Sequence, residues 1–420
     1  MSSTNRKILT LISGTALAQV VTFLFSPVLS RFFSPAEYGE FAMYMGAVNA
    51  VQVIACGRYE MAVVLADDDG EALNIVALSL LATLGFAFFC LFGALGFYIY
   101  SLSSPAFSHK YPDMQHWLWA MPLFILLLGA YMAFNQWLIR KESYSEMSFS
   151  RFGNSATTSI LQTILGFIKM GANGILLGAI AGQAVYTGLL YYYSQKQAEK
   201  ESVAWRLVIS WEKVKTAAAR YQLLPRTTLF QSLLEMFQSN ALSFLLPFFY
   251  SAVEGGFYFR TLIIFQAPVA LIAQALAQVA YREAALLQRE GSSLRPLVFS
   301  TLKKSALIGL PICLGLLAVG PWVFSTFFGK EWYEAGVYAR ILAVWMYLDF
   351  LRIPLAQIAI VIQKQRALLQ RSLIGTAVLI ATISAGYYIS TDVHLSLYLL
   401  SGGMTLFTAY LLTWFVRSVK

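Results

Sequence analysis

Charged side chains inside long apolar stretches are the residues of this sequence best suited to chemistry. Asp349 and Arg352 lie three positions apart and so share one face of a helix, and Arg260 lies near the outer end of another. A charge at the bilayer centre costs about 2.5 to 3.5 kcal/mol even on the lenient insertion scale, and usually marks a pathway. Asp349 and Arg352 could neutralise each other or contact a ligand. Arg260 could face a cavity or extend to the lipid headgroups.

Uncharged polar side chains form stripes at helical spacing in the same apolar stretches. A recurrence every three or four residues puts the members of each stripe on one helix face. Such residues either hydrogen-bond between helices or line an aqueous cavity, and four aligned stripes favour the cavity. The stripes are Thr15, Gln19, Thr22, Ser26 and Ser30; Asn49, Gln52 and Glu60; Asn154, Thr158, Gln162 and Lys169; and Gln231, Glu235 and Gln238.

The elements that position these residues are membrane helices. The chain has 420 residues, of which 58% are hydrophobic and 12% are charged. A soluble chain carries about 25% charged residues. Uncharged runs long enough to span hydrocarbon recur along the sequence. This composition excludes a cytosolic enzyme and predicts an all-α polytopic membrane protein.

Twelve transmembrane helices are predicted, and an even number puts both termini on one side. That side holds 23 of the 30 Lys and Arg residues, the opposite side holds four and the helices hold three. The positive-inside rule makes it the cytoplasm. The net charge of +9 is therefore explained by orientation, without nucleic acid. The predicted helices lie near 8–28, 39–56, 73–100, 116–138, 153–168, 174–193, 227–249, 257–280, 305–328, 336–362, 372–389 and 396–416.

The sequence divides into two halves of six helices, 1–193 and 227–420, joined by a cytoplasmic linker at 194–226. Residues 203–221 of the linker could form an interfacial amphipathic helix. A shift of 217 positions superposes Phe32, Phe33, Ser34, Glu37 and Gly39 on Phe249, Tyr250, Ser251, Glu254 and Gly256. The match indicates a parallel internal duplication, and so a central cleft between the halves.

Motifs for catalysis, metal binding or nucleotide hydrolysis are missing from the sequence. There is no Walker A, HExxH or CxxC pattern, and His109, His116 and His394 lie in or beside short outside loops without ligand spacing. The acidic run at 67–69 is interpreted as a solvated loop. We therefore expect no catalytic residues, no metal and no cofactor, and a carrier rather than an enzyme.

Three segments carry a family resemblance: 14–16 (GTA), 32–39 (FFSPAEYG) and above all 58–65 (RYEMAVVL). Together they resemble the polysaccharide-biosynthesis branch of the multidrug/oligosaccharidyl-lipid/polysaccharide exporter (MOP) superfamily, which includes the Wzx-type O-antigen flippases. The resemblance extends over the whole chain in length, helix number and layout.

The resemblance implies two six-helix lobes, MATE-like, around a central cavity that alternates its access. It also implies a substrate, an undecaprenyl-pyrophosphate-linked oligosaccharide such as an O-antigen or related repeat unit, carried across the bacterial inner membrane. The implied partners are this glycan, membrane lipid, and polymerase and chain-length proteins of the same pathway. A carrier is needed because moving one hydroxyl from water into alkane costs about 4 to 8 kcal/mol.

The resemblance implies functions for the charged residues and for the residues of the polar stripes. Arg58 and Glu60 could instead simply pin the cytoplasmic loop. A cation-coupled multidrug exporter of the same superfamily stays open as an alternative, and a membrane oligosaccharide polymerase or ligase is disfavoured by the short outside loops. The expected pyrophosphate ligands are Arg58, Arg140, Arg151 and Arg260; the sugar-facing residues are Thr15, Gln19, Thr22, Asn49, Gln52, Gln231 and Gln238; and the coupling acids or charge pairs are Glu60, Glu235, Asp349 and Arg352.

Overall fold

The computed structural model describes residues 3–103, 114–200, 209–362 and 364–419. Within these ranges only the backbone is described for 3–13, 101–103, 114–116, 200, 360, 365 and 366, and for part of 227–289, which includes Gln231, Glu235 and Gln238. All regular secondary structure in the described ranges is helical.

The described chain forms twelve long α-helices and one short one. Two 3₁₀ segments, Tyr59–Val64 and Lys330–Trp332, interrupt the connections. The α-helices are α1 Ser3–Phe32, α2 Pro35–Ala55, α3 Asp69–Ser103, α4 Met114–Arg140, α5 Tyr144–Phe167, α6 Ala172–Lys200, α7 Trp211–Arg220, α8 Leu223–Phe249, α9 Ala252–Arg289, α10 Arg295–Phe328, α11 Tyr333–Val361, α12 Gln365–Ile389 and α13 Val393–Ser418.

Each of the twelve predicted segments coincides with one of the long helices, but most helices are longer than predicted. One such difference is at the start of α5, which begins at Tyr144 rather than at 153. The first turns of α5 are polar, so an apolar pattern does not detect them. Arg151, which the prediction assigned to a cytoplasmic loop, therefore lies two turns inside a helix.

Eight helices in the described part of the chain are long and apolar enough to cross a membrane. They lie in α1, α3, α4, α6 and α10 to α13. The protein is therefore a multi-pass membrane protein, and the count of twelve crossings stays a prediction. α2 and α5, which are not among the eight, carry two of the polar stripes.

The chain divides into two compact units, residues 1–247 and 248–420. In the first unit α3 packs on α4, α4 on α6, α5 on α6 and α2 on α4. The second unit repeats these pairings as α10 on α11, α11 on α13, α12 on α13 and α9 on α11. The recurrence supports the internal duplication inferred from the sequence.

The duplicated serine and glutamate are helix caps. Ser34 begins α2 with a complete capping box. The Ser34 hydroxyl accepts from the Glu37 backbone N–H, and the Glu37 carboxylate accepts from the Ser34 backbone N–H. Ser251 begins α9 in the same way, accepting from the Glu254 backbone N–H at 3.4 Å. The sequence match between 32–39 and 249–256 therefore reflects the same type of capped turn at the start of two helices.

The short helix α7 corrects the prediction of an interfacial amphipathic helix. Its apolar side chains Val214 and Ala217 are each 3% exposed and pack on protein, not on lipid. Arg220 at its end donates to Asp67 at 2.8 Å and to Glu71 at 2.7 Å. The linker is therefore fixed to the start of α3. Residues 203–208 of the predicted helix lie outside the described residues.

Candidate functional site

Arg151 is a charged side chain of α5 that contacts two other helices of the first unit. Its Nη1 donates to Thr15 Oγ1 on α1 at 2.8 Å, and its Nε donates to the Tyr186 hydroxyl on α6 at 3.0 Å. Tyr131 on α4 packs its ring against that of Tyr186. We call these four residues the Arg151 cluster. Arg151 lies seven residues into α5, or ~10 Å from the start of that helix.

Hydroxyl groups, rather than carboxylates, are the partners of Arg151 in the described part of the chain. The Tyr131 and Tyr186 rings lie beside each other, with centroids 4.8 Å apart. Among the described residues no acid forms an ion pair with Arg151, and two aromatic rings lie in the same cluster. Sequence analysis identified Thr15 and Arg151 but missed both tyrosines, because neither belongs to a polar stripe.

α1 reaches the cluster because glycine permits a close helix crossing. A β-carbon built on Gly14 would lie 2.2 Å from Cβ of Ser148 on α5. Only glycine at position 14 allows α1 to approach α5 this closely, and the approach brings the neighbouring Thr15 to Arg151. The GTA segment at 14–16, one of the three that carry the family resemblance, therefore forms a close contact between two helices.

The remaining polar residues of α1 have mixed environments. The Thr22 hydroxyl donates to the Ala18 carbonyl at 3.2 Å, and the Ser30 hydroxyl to the Ser26 carbonyl at 2.6 Å, so both satisfy themselves within the helix. Gln19 differs, because its buried Oε1 has no hydrogen-bond partner among the described residues. Gln19 therefore keeps an unused acceptor oxygen within the described part of the chain.

Asn49 and Gln52 on α2 belong to a short chain of amides that we call the amide ladder. Gln52 Nε2 donates to Asn49 Oδ1 at 3.4 Å, and Asn49 Nδ2 donates to Oδ1 of Asn240 on α8 at 3.3 Å. Asn240 in turn donates to the Met236 carbonyl at 2.9 Å. The ladder joins α2 to α8, and the sequence analysis had not singled out Asn240.

The polar stripe of α5 packs against α6 rather than facing open space. Gln162 is 7% exposed and donates to the Ile175 carbonyl on α6 at 2.9 Å. β-Carbons built on Gly178 and Gly182 would lie 2.4 Å from Gln162 and 1.8 Å from Thr158. The expected cavity does not include this stripe, because small residues of α6 close over it.

Arg140 is engaged by the loop between α2 and α3. Its Nε donates to Asp69 at 2.9 Å, and its Nη1 donates to the carbonyls of Ala66 at 2.7 Å and Val63 at 3.3 Å. Lys141 donates to the other Asp69 oxygen at 2.5 Å. The acidic run at 67–69, expected to be a solvated loop, is therefore a counter-ion for three basic residues, including Arg220.

Arg58 and Glu60 contact each other within the same loop. Arg58 takes a left-handed conformation, with φ of 64°, after Gly57 with φ of 60°. Its Nη1 lies 3.6 Å from Oε1 of Glu60, whose side chain is 2% exposed. Burial raises the pKa of the Glu60 carboxyl, although a backbone hydrogen bond and the Arg58 charge oppose the increase. This geometry agrees with the alternative in which the pair pins the loop.

Arg260 is enclosed by aromatic rings of the second unit. Its guanidinium carbon lies 5.1 Å from the Phe328 ring centroid and 4.8 Å from that of Trp332. The side chain is 2% exposed, so it does not extend to the headgroups as one prediction allowed. Arg260 is therefore a packed side chain between α9, the end of α10 and the 3₁₀ segment Lys330–Trp332.

The remaining charged candidates lie on α11 and α8. Arg352 Nε donates to Asp349 Oδ1 at 2.6 Å, so the two charges form the pair that their spacing allowed. About a third of each side chain is exposed, 32% for Arg352 and 37% for Asp349. The side chains of Gln231, Glu235 and Gln238 lie outside the described residues.

A family profile described as "Polysaccharide biosynthesis protein" matches residues 28–337 of this chain. The chain belongs to the polysaccharide biosynthesis protein family. A search of curated proteins finds no matching sequence. The match includes α2 to α10, and with them the loop of Arg58 and Glu60 and the Arg151 side of the first unit.

Solved structures show that this family member has the fold of MOP superfamily transporters. An inward-facing multidrug resistance MATE family transporter superposes with a TM-score of 0.70 at 13% identity, covering 95% of this chain and 94% of that one. The lipid II flippase MurJ, inward closed, gives 0.71 at 12% identity, covering 97% and 87%. A MOP superfamily transporter from Pyrococcus furiosus gives 0.65 at 13% identity, covering 98% and 95%.

The described ranges contain no group of three or more His, Cys, Asp or Glu residues that could hold a metal ion. Cys56, Cys90 and Cys313 are free thiols. The guanidinium of Arg151, oriented by hydroxyl groups, is able to bind an anion through charge-assisted hydrogen bonds.

Replacing Arg140 with Ala is expected to lower stability more than substrate affinity. Removing the guanidinium leaves Asp69 and two loop carbonyls without their donor, at a cost of about 2 kcal/mol. Thermal unfolding of the purified protein measures this loss. Asp67→Asn is the matched control in the same network, and at 73% exposure it should change stability little. Equal effects of the two variants would contradict the assignment.

Replacing Glu60 with Gln is expected to change how stability depends on pH. The folded pKa of Glu60 is raised, so the folded protein keeps the proton above pH ~4.3, where the unfolded chain releases it. Wild-type stability contains a contribution that falls as the pH rises through this range, and the Gln variant lacks it. Unfolding midpoints at a series of pH values test this, with the exposed Glu212→Gln as control. Parallel curves for wild type and Glu60→Gln would disprove the assignment.

Proposed function

We propose that this protein is a flippase for an undecaprenyl-pyrophosphate-linked oligosaccharide, the repeat unit of an O-antigen or related surface polysaccharide. It carries this lipid from the cytoplasmic to the periplasmic leaflet of the bacterial inner membrane by alternating access. Both of its termini lie in the cytoplasm. Polymerase and chain-length proteins of the same pathway then use the translocated unit.

The observation that carries the proposal is the Arg151 cluster. An arginine within a membrane helix is costly unless an anion or a functional pathway compensates for it. Arg151 has hydroxyl partners, which orient the guanidinium without cancelling its charge. A phosphate suits this site, because a planar guanidinium makes paired, charge-assisted hydrogen bonds to it and stays charged when water is excluded.

Of the four arginines expected to bind pyrophosphate, we retain Arg151 as the principal ligand. Arg58 is secondary, because it already contacts Glu60 but keeps a buried Nε without a partner among the described residues. Arg140 and Arg260 are omitted, since the loop and the aromatic rings engage them.

The polar residues of α1, α2 and α8 suit the sugar. Gln19 offers an unpartnered amide oxygen, and the amide ladder offers the neutral side chains of Asn49 and Gln52. Sugar hydroxyls both donate and accept hydrogen bonds, as these amides do. Thr22, Gln231 and Gln238 complete the proposed sugar-facing set.

Coupling to an ion gradient is assigned to acids within the helices. Asp349 is partly exposed and paired with Arg352, so its protonation would break an ion pair. Glu235 on α8 and Glu60 in the loop are the other acids in position to respond. Flipping assays on Glu235→Gln and Asp349→Asn, with and without a gradient, test this role, which is refuted if gradient dependence persists in both.

Gene deletion with complementation tests the proposed function. We expect the deletion strain to accumulate lipid-linked repeat units on the cytoplasmic leaflet and to lose surface glycan, and wild type to restore both. Unchanged glycans with new sensitivity to cationic drugs would instead establish the multidrug-exporter alternative. Lengthened lipid-linked glycans made by the purified protein would establish a polymerase.

A further inference from the structure

His394 joins the first turns of two helices in the second unit. Its Nε2 lies 3.1 Å from Glu334 Oε2 in the first turn of α11, and its Nδ1 lies 3.0 Å from Asp392 Oδ1, the N-cap of α13. His394 is 39% exposed, Glu334 42% and Asp392 57%, so water reaches all three. We call these three residues the outer clasp, since the predicted topology puts both helix starts on the outer side.

The protonation of His394 decides whether the outer clasp is complete. Both ring nitrogens face carboxylate oxygens, which accept hydrogen bonds but do not donate them when ionised. Neutral imidazole carries one N–H and can satisfy only one of the two carboxylates, whereas imidazolium donates to both. The clasp is therefore complete in acid and loses one hydrogen bond and its ionic attraction as the pH rises.

Asp392 keeps its charge over this range. The pKa of its carboxyl is lowered by the hydrogen bond from the His394 backbone N–H and then by that from the His394 ring. Its position at the N-terminus of α13 also favours the anion. His394 is thus the member of the pair whose protonation changes near neutral pH.

The first unit has an uncharged counterpart at the same place. Trp117 at the start of α4 donates from Nε1 to Oδ1 of Asn173 at the start of α6, at 2.7 Å. α4 and α6 are the fourth and sixth helices of the first set, as α11 and α13 are of the second. Corresponding pairs of helix starts are therefore joined by neutral groups in the first unit and by ionisable groups in the second unit.

From this difference we propose that the outer clasp is a proton-dependent device that strengthens the outer end of the second unit in acid, while the Trp117–Asn173 bond holds the first unit at any pH. The pH on the outer side then changes the stability of one unit alone. This inference goes beyond the proposed function and does not depend on the substrate.

Two tyrosines are other titratable side chains described beside the outer clasp. Tyr338 on α11 contacts the His394 ring edge-on at 6.0 Å and donates its hydroxyl to Glu254 on α9. Tyr250 hydrogen-bonds Ser396 on α13. The carboxylates of Glu334 and Asp392 both favour a positive charge on His394, and tyrosine hydroxyls stay neutral at physiological pH.

Hydrogen exchange of the full-length purified protein at pH 6 and pH 8 tests the proposal. After correction for the intrinsic exchange rate, we expect residues 336–342 and 396–401 to be about threefold better protected at pH 6 in wild type, the size expected for partly exposed ion pairs. His394→Gln should show equal protection at both pH values. Trp117→Phe, the matched control, should lose protection in the first unit equally at both pH values.

Two results would overturn the proposal. One is a His394→Gln protein that keeps the wild-type pH dependence in these segments. The other is ¹⁵N-histidine resonances showing His394 with a single proton at pH 6; the chain has three histidines, so His394→Gln assigns the signal. If His394→Gln fails to fold, Glu334→Gln and Asp392→Asn replace it. In each of these variants, the ratio of protection at pH 6 to protection at pH 8 should fall from the wild-type value towards one.

Discussion

Replacing Arg151 with Gln is expected to abolish surface polysaccharide while leaving the protein in the membrane at normal levels. The change removes the positive charge that the hydroxyls of Thr15 and Tyr186 orient. Two charge-assisted hydrogen bonds to a phosphate are worth about 3 kcal/mol, so transport should fall about 100-fold. Complementation of a deletion strain, with surface glycan measured against protein level, shows the effect.

Three variants give this prediction its controls. Arg31→Gln removes an exposed arginine at the end of α1 and should transport normally. Arg151→Lys keeps the charge but loses the planar fork, so intermediate transport is expected. Tyr186→Phe keeps the ring and removes one hydroxyl, which should cost less than the loss of Arg151. Normal transport by Arg151→Gln would remove the cluster from the proposed substrate path.

Replacing Gly336 with Ala is expected to destabilise the second unit by about 3 kcal/mol, through overpacking that cannot relax. A β-carbon on Gly336 would lie 2.5 Å from Pro321 Cα and 2.7 Å from the Gly320 carbonyl oxygen. Both neighbours are backbone atoms of α10, so the helices themselves would have to separate. The thermal midpoint and the monodisperse yield of purified protein measure the loss.

Gly315 is the matched control for this substitution. It lies on α10 with nothing within 4 Å of an added β-carbon, and its position is exposed. Gly315→Ala should therefore be neutral or stabilise the helix by up to ~1 kcal/mol. If Gly336→Ala and Gly315→Ala gave the same midpoint, α10 and α11 would not be in the contact that the structure shows.

The helices could be predicted because hydrocarbon leaves the backbone few alternatives. Polar backbone groups must be satisfied within each segment, so a long apolar run becomes a helix whatever its neighbours are. Helix starts were less accurate where the first turns are polar, as in α5, since periodicity detects the apolar part alone. That error assigned Arg151 to a loop.

The caps are local contacts, although only their repetition was noticed in the sequence. Ser34 and Ser251 satisfy the first turn of the helix that each one begins, using a glutamate three positions later. Such a contact depends on four consecutive residues, so matching residues form the same turn at both places. The duplication was visible in the sequence for that reason.

The roles of individual charges were decided by the tertiary structure. Arg140, Arg151 and Arg260 looked equivalent in the sequence, yet one holds a loop, one is oriented by hydroxyls and one is packed among aromatic rings. His394 looked unpartnered until the fold brought Glu334 to its ring. Asn240 entered the amide ladder only through α2.

By itself, the sequence determined that the chain forms membrane helices and where most of them lie, because these properties depend on neighbouring residues. The tertiary structure alone decided the partners of Arg151, which lie 136 positions away at Thr15 and 35 positions away at Tyr186. Residues that far apart meet only when whole helices pack, and no local spacing specifies that packing.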